Sequence, residues 1–352
     1  MNTLSLPAFL RGILSSKAVS ECVSAFKTGK FPLEIRGSEG AFGAILLDIL
    51  PGGPFAAVVP TELAANELAL DLQTLGLHAA VFPWWGTMPY KEMAPMSGVF
   101  GERTEILCAL AQARGAKMDV ARGATPDALP PKSVYIIPER AFLTPLPPPE
   151  YIKSLLIPIT VGETVDTVAL AERLVSYGYT RVPRVQLHGE FTLRGEVLDI
   201  LMGGDDAAYR VLLDFDRVET IRRFDTANQS SIGARGAETL PGFLIRPLRE
   251  VIWTDERIEE LGNTLDTLEE FPDKGRAVLE TLMERRSCPG EEMFYPLAFS
   301  KDLPAHGPTG HGPTGHGPAS LVDYLEDMPV FFFDRERLEH AQEAIEREYE
   351  NL

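Results

Sequence analysis

Short apolar runs alternate with longer helical patterns between residue 31 and about residue 140. The predicted strands are 32–35, 56–60, 79–82 and 133–137, and helices are predicted at 44–50, after Thr61, and at 102–113. Repeated strand–helix–strand units predict a mostly parallel sheet with helices on both of its faces. This part of the chain is therefore expected to have an α/β fold.

Composition limits the classes of protein that the chain can belong to. Its 352 residues are 45% apolar and 24% charged, which predicts two or three folded domains. The formal net charge of −18 argues against a chain whose main task is to bind phosphate backbones, because such proteins cluster lysine and arginine. One locally basic face remains compatible with this balance.

Cysteine usage and the apolar runs bear on the cellular compartment. Cys22, Cys108 and Cys288 are far apart and lack metal-ligand spacing, so neither a disulfide framework nor a structural zinc site is predicted. Arg11 and Lys17 interrupt the N-terminal apolar stretches, and no run reaches the roughly 18 apolar residues of a membrane helix. We expect a protein of a reducing compartment, with the cytoplasm as the default, and no membrane partner.

A proline cluster at 145–149 separates this region from a different pattern. A helix is predicted over 163–177 and is ended by Gly178. Apolar residues then follow a period of two, and their parity changes at Gly195, which predicts a β-bulge. After a turn at 203–206, the returning strand alternates at Tyr209, Val211, Leu213 and Phe215. Residues 147–232 are therefore predicted to form a small α+β domain with an antiparallel sheet.

The last third of the chain contains two predicted helices, at 255–268 and 274–286. A His-Gly-Pro repeat near 304–319 is predicted to be a disordered, solvated loop. Residues 329–333 have the pattern of a buried strand, and 335–351 that of an acidic helix. Because this helix has no stop signal, we expect the chain to be part of something longer.

The loop between the first predicted strand and helix lies where a phosphate-binding loop would lie. Its glycines are Gly37, Gly40 and Gly43. A working triphosphate site needs a lysine and then a hydroxyl residue, where this chain has Gly43 and Ala44. The loop is thus degenerate by comparison with a working nucleotide site, and we interpret it as a structural strand-to-helix turn; no cofactor and no metal site are predicted.

Other catalytic patterns are absent from the sequence, including GxSxG and HExxH. The Trp84–Trp85 pair has two interpretations, an exposed aromatic platform or aromatic packing of a loop, and we favour packing. The sequence therefore predicts no catalytic residues.

Arginines form the most informative local feature. Arg181, Arg184 and Arg194 lie on or beside predicted strands, where a planar guanidinium can bind a partner's carboxylate through two hydrogen bonds. The alternative is pairing within the chain with acids such as Glu190 and Glu196. The residues alone do not separate these two interpretations.

A set of motifs in this region resembles the module shared by the excinuclease subunit UvrB and the bacterial transcription-repair coupling factors (Mfd). The motifs are Tyr179-x-Arg181, Gly189-x-Phe191, Arg194-Gly195, Asp199-Ile200, Val211-x-Leu213 and Phe224-Asp225-x-x-x-Gln229. Pro89-Tyr90 after Trp85, Glu102-Arg103 and the degenerate loop favour the coupling factors, because UvrB keeps the lysine and threonine of that loop.

The resemblance implies a fold and a division of the chain. The fold is a P-loop NTPase-like, UvrB-like α/β domain with a degenerate nucleotide site and a small inserted α+β domain. The implied segments are 1–146, the inserted domain 147–232, and 233–352, which completes the first domain. No enzymatic activity is implied for this portion, whereas the full-length family is an ATP-dependent DNA translocase.

The resemblance also implies a partner. The inserted domain would bind the damage-sensing subunit UvrA and recruit it to stalled RNA polymerase. The UvrA-facing positions carried over are Arg181, Arg194 and Thr192, with Phe191 packed beside them, and Thr192 stands where UvrB has arginine. Binding of RNA polymerase and double-stranded DNA is implied for domains beyond Leu352.

Two other functions remain open at this stage. The loop at Gly37 could bind a nucleotide through backbone N–H groups at the start of a helix, and the arginine-bearing sheet could bind DNA directly.

Overall fold

The computed structural model describes residues 16–38, 40–86, 97–114, 132–232, 239–267, 273–288, 290–302 and 318–350. The helices of this part are α1 (Lys17–Lys27), α2 (Ala41–Ile49), α3 (Glu62–Thr74), α4 (Ser97–Ala113), α5 (Glu139–Leu143), α6 (Pro149–Leu155), α7 (Thr167–Ser176), α8 (Asp255–Thr267), α9 (Asp273–Met283), α10 (Leu321–Leu325) and α11 (Arg335–Glu350), with a 3₁₀ segment at Glu291–Asp302.

The strands of the same residues are β1 (Phe55–Val59), β2 (Ala79–Val81), β3 (Val134–Pro138), β4 (Ile157–Thr160), β5 (Thr180–Arg181), β6 (Glu190–Arg194), β7 (Val197–Leu201), β8 (Ala208–Asp214), β9 (Arg217–Phe224), β10 (Thr239–Leu240), β11 (Gly242–Ile245) and β12 (Val330–Phe332). The contacts divide the chain into two compact units. The first takes the described residues of Met1–Pro83, Leu129–Leu143 and Asp327–Asn351, and the second those of Trp84–Ala128 and Thr144–Glu326. The three segments predicted from the sequence remain a prediction.

The first unit contains the predicted parallel sheet, with strand order β12-β1-β3-β2. Every residue of β1 and of β3 is buried, so both faces of the central strands are covered, as the continuous apolar runs predicted. The helix α3 begins where expected, because the Thr61 hydroxyl accepts a hydrogen bond from the Ala64 N–H at 3.1 Å. The α/β prediction for this region is confirmed.

Of two further strand predictions for this unit, the one at 32–35 is wrong, and the one at 329–333 is confirmed as a strand but not as a buried one. Residues 32–35 form no strand, because Pro32 has no N–H to donate and none of the four residues is buried. The strand predicted as buried at 329–333 is β12, which lies at the edge of the sheet and leaves Phe332 60% exposed. A run of apolar residues does not distinguish a central strand from an edge strand.

The second unit contains a six-stranded sheet with order β10-β9-β8-β7-β6-β5, in which all neighbours except β5 and β6 are antiparallel. The predicted antiparallel sheet is confirmed. The helix predicted from residue 163 instead begins at Thr167, because the Asp166 carboxylate caps it with bonds of 3.0 Å from the Val168 and Ala169 N–H groups. The His-Gly-Pro repeat lies outside the described residues.

A buried ion pair lies in the interior of the second unit. The Arg103 guanidinium and the Glu250 carboxylate are both fully buried and hydrogen-bonded to each other. Trp85 Nε1 also donates to Glu250 at 2.9 Å, and its ring packs against Tyr295. The packing interpretation of Trp85 is therefore confirmed, whereas Pro89 and Tyr90 lie outside the described residues.

The Glu105 carboxyl is a site of pH-dependent stability. Burial raises the pKa of Glu105 despite the attraction of Arg246, and the neighbouring Asp205 and Asp206 act in the same direction as burial. A folded-state pKa above the unfolded one gives a stabilising contribution that is present below the unfolded pKa and lost as pH rises through the folded pKa.

We therefore expect Glu105→Gln to raise the melting temperature at neutral pH, with a difference from wild type that shrinks toward about pH 4, near the unfolded pKa of glutamate. Thermal unfolding followed over a pH series checks this. A Glu259→Gln variant is the control, because Glu259 is an exposed carboxyl on α8 of the same unit, and we expect it to leave the melting temperature nearly unchanged at every pH. A Glu105→Gln benefit that is constant across the series would contradict the account.

Candidate docking surface

The predicted arginines belong to the six-stranded sheet of the second unit. β6 and β7 form a hairpin whose turn is Gly195-Glu196, with Arg194 opposite Val197 and Leu193 opposite Leu198. Gly195 has a φ of +55°, which a two-residue hairpin turn requires. The predicted β-bulge is therefore wrong: the parity changes at Gly195 because the chain reverses there. The irregularity that the sheet does contain lies between Leu212 and Leu213.

One face of this sheet is apolar and buried. Phe191 lies opposite Ile200, and both are fully buried. Leu198 and Val211, also opposite each other, are buried on the same face. Phe191 thus belongs to the core of the unit and cannot itself offer an exposed ring.

The other face carries a polar row across four strands. In register, this row is Thr192, Asp199, Arg210 and Arg222. Thr192 is only 6% exposed. The hydrophobic cluster that covers one end of this face includes Val182 and Val185, so both faces of the sheet are partly covered. The period-two pattern of the strands could not predict this coverage, because Val182 and Val185 lie outside the strands whose face they cover.

Arg210 organises the middle of this row. Its guanidinium donates to both Asp199 carboxylate oxygens, at 2.7 and 2.8 Å, and to Gln229 Oε1 at 3.1 Å. It also lies 4.4 Å from the centre of the Phe224 ring. The hydrogen bond to Asp199 raises the pKa of Arg210. These contacts give Asp199, Phe224 and Gln229 structural roles, and sequence reasoning missed Arg210 because its partners are distant in sequence.

Arg181 and Arg194 lie on neighbouring strands, β5 and β6, at one edge of the sheet. Both are exposed, and Arg181 Nη2 donates to the Leu193 carbonyl oxygen at 3.1 Å, directly before Arg194. The edge strand that carries Arg181 is anchored by Tyr179, whose buried hydroxyl donates to the Arg246 carbonyl oxygen at 2.6 Å. Directly after Arg181, the Val182 N–H donates to the Phe191 carbonyl oxygen at 2.9 Å and holds β5 against β6.

Neither arginine is engaged by the acids that the sequence offered as partners. The Glu190 carboxylate instead accepts from the Gln186 and Leu187 N–H groups, at 2.8 and 2.9 Å. Among the described residues, no carboxylate lies within ion-pair distance of Arg181 or Arg194. Their guanidinium groups are therefore available for a partner's carboxylates. Arg184 is exposed as well and contacts the Ala227 carbonyl at 3.4 Å.

The glycine-rich loop lies in the first unit. Gly37 and Gly40 have φ of +79° and +59°, and α2 begins directly after Gly40. Gly43 and Ala44 are buried in its first turn. A Cβ atom at Gly43 would lie 2.6 Å from Cε1 of the Phe333 ring, so this position has no room for a side chain unless that ring moves.

Metal binding and membrane insertion find no support in the described part of the chain. It contains no group of three or more histidine, cysteine, aspartate and glutamate side chains placed to hold a metal ion. None of its helices combines the length and the apolar character that crossing a bilayer requires.

Comparisons with known proteins find a family model that matches the segment containing this sheet. Residues 157–241 match the family described as the UvrB interaction domain, a range that contains β4 to β10. The match thus covers both exposed arginines and the polar row beside them.

The chain as a whole is similar to transcription-repair coupling factors. It is 24% identical to that of Borreliella burgdorferi over 82% of this chain and 24% of the relative. It is 32% identical to that of Mycobacterium bovis over 56% of this chain and 15% of the relative, and 29% identical to that of Bacillus subtilis over 70% and 20%. The chain spans about a quarter of these relatives' length or less. The predicted resemblance is confirmed.

Proposed function

We propose that this chain is a docking module for nucleotide excision repair, which binds UvrA through the antiparallel sheet of its second unit. In proteins of the length of its relatives, this contact would recruit UvrA to stalled RNA polymerase. The observation that carries the proposal is the pair Arg181 and Arg194, exposed and unclaimed by carboxylates of the described residues, inside the segment that matches the UvrB interaction domain.

The chemistry of the pair defines the complementary surface. A guanidinium binds a carboxylate through two parallel hydrogen bonds, and arginine is enriched among the residues that dominate binding energy. We therefore expect acidic side chains on UvrA opposite this edge. Phe191 and Thr192 contribute to the docking surface by supporting β6 and not by contact with the partner. Phe191 fills the core beneath β6, and the buried Thr192 lies opposite Asp199, which pairs with Arg210.

The test of the proposal is a calorimetric titration of UvrA with the wild-type chain. We expect saturable binding that weakens as salt is raised, because added ions screen exposed charge pairs. Absence of binding at tens of micromolar chain, at low salt and with folded protein, would contradict the proposal.

The same proposal includes the absence of nucleotide binding by this portion. The position of the usual lysine is Gly43, the position of the usual hydroxyl is Ala44, and the Phe333 ring occupies the space next to Gly43. A ligand present at a hundred times its Kd would stabilise the fold by about 2.7 kcal/mol.

We expect no change in melting temperature on addition of millimolar Mg·ATP or ADP. Phe333→Ala is a second test, because removing the ring creates space without restoring the lysine or the hydroxyl, and it too is expected to show no ATP-dependent shift. A rise of several degrees with ATP in the wild-type chain would instead support a nucleotide site formed by backbone N–H groups.

A further inference from the structure

The hairpin between β8 and β9 displays an aromatic side chain at its tip. Phe215 was predicted to lie on the returning strand, in alternation with Leu213, and this is wrong: the strand ends at Asp214 and the Phe215 side chain is 82% exposed. The irregularity between Leu212 and Leu213 shifts the alternation just before the turn.

The backbone at this position also favours another residue. Phe215 has a φ of +55°, in the left-handed region where glycine and asparagine are tolerated and a bulky side chain is strained. The folded chain therefore gains nothing from phenylalanine here, either from burial or from turn geometry. The strained backbone together with the exposed ring, rather than exposure alone, points to a use of this side chain outside the fold.

The tip of this hairpin is hydrogen-bonded to the segment 162–165 that precedes α7. The Val165 N–H donates to the Asp216 carbonyl at 2.7 Å, and the Val218 N–H donates to the Glu163 carbonyl at 2.9 Å. Arg217 Nε donates to the Gly162 carbonyl at 3.0 Å. The ring is thus displayed on an ordered backbone, which lowers the entropy that a partner must remove on binding.

Phe215 and Arg194 lie at the same end of the sheet. Arg194 is opposite Val197, which is opposite Leu212, and the Leu213 N–H donates to the Glu196 carbonyl at 2.8 Å, which joins the two hairpin turns. Two strand spacings separate the backbones of Arg194 and Leu212 by about 10 Å, and three residues more lead to Phe215. Both residues fit within one interface patch of about 800 Å².

We propose that Phe215 is an apolar anchor of the same docking surface and enters a hydrophobic pocket of UvrA. This inference rests on the function proposed above and adds a second kind of contact to it. Asp214 and Asp216 flank the ring and are exposed, so the pocket is expected to carry cationic groups at its rim. An aromatic residue close to arginines is the usual composition of a binding hot spot.

The test is Phe215→Asn, measured by calorimetric titration against UvrA with the full chain. Because asparagine tolerates the left-handed backbone, we expect the variant to melt at or above the wild-type temperature while its affinity for UvrA falls at least tenfold. Phe215→Tyr, which keeps the ring, is expected to retain most of the affinity. Leu187→Asn is the matched control, since Leu187 is also exposed, at 67%, and belongs to the segment that precedes β6, away from the two hairpin tips.

The outcomes separate this inference from the proposed function. Loss of affinity in Phe215→Asn alone supports it. If Phe215→Asn binds like wild type while removal of Arg181 and Arg194 weakens binding, the anchor is overturned and the arginine surface stands. An equal loss in Leu187→Asn also overturns it, and a wild-type chain that fails to bind UvrA overturns both.

Discussion

Replacing Arg181 and Arg194 together by alanine is expected to weaken UvrA binding by about a hundredfold or more, because truncating one partner of a desolvated charge pair costs about 2–5 kcal/mol. The fold is expected to be retained, because both side chains are exposed and neither forms an ion pair with a carboxylate of the described residues. Arg181 would lose its hydrogen bond to the Leu193 carbonyl, at a solvent-exposed edge. Calorimetry at fixed salt measures the change.

The control for this prediction removes the same charge elsewhere. Arg286→Ala with Arg347→Ala also takes the formal net charge from −18 to −20, since each substitution removes one positive charge, and both arginines are exposed. We expect this variant to bind UvrA like wild type. Equal weakening by the two double variants would show that overall charge, rather than the sheet edge, governs the affinity.

The largest effect on stability is expected at Arg103. Arg103→Met leaves the Glu250 carboxylate buried with Trp85 Nε1 as the remaining donor described here, and breaking a fully buried ion pair in this way costs about 3–5 kcal/mol. Urea unfolding followed by tryptophan fluorescence measures this, because the three tryptophans, Trp84, Trp85 and Trp253, all belong to the second unit.

A compensating variant distinguishes an orphaned charge from lost packing. Glu250→Gln in the Arg103→Met background removes the buried charge but keeps an oxygen that can accept from Trp85 Nε1. We expect the double variant to be more stable than Arg103→Met alone. A single Arg103→Met variant within about 0.5 kcal/mol of wild type, the range of ordinary surface substitutions, would contradict the account.

The sequence predicted the α/β class because central parallel strands are apolar along their whole length, as β1 and β3 are. It failed where the position of a strand in the sheet decides the outcome. The pattern at 32–35 predicted a strand where the chain is irregular, and the pattern at 329–333 predicted a buried strand where the chain forms an edge strand. Hydrogen bonding to a distant strand sets this position, and no local pattern records it.

The docking surface was predictable in part. The arginines were identified from the sequence. Whether Glu190 pairs with them depends on the backbone, because the Glu190 carboxylate accepts hydrogen bonds from the Gln186 and Leu187 N–H groups instead. Phe191 was predicted to contribute to the surface and is buried, whereas Phe215 was predicted to lie on the returning strand and is instead exposed just after that strand ends. The turn at Gly195-Glu196 and the irregularity between Leu212 and Leu213 involve only one or two residues each, and the period-two pattern did not reveal either of them.

Hydrogen–deuterium exchange of the wild-type chain with and without UvrA tests most directly where the partner docks. We expect slower exchange over residues 180–182, 190–197 and 213–217 in the presence of UvrA, with α3 and α11 of the first unit unchanged. Protection confined to the first unit, with these three segments exchanging as in the unbound chain, would contradict the assignment of the docking surface to this edge of the sheet.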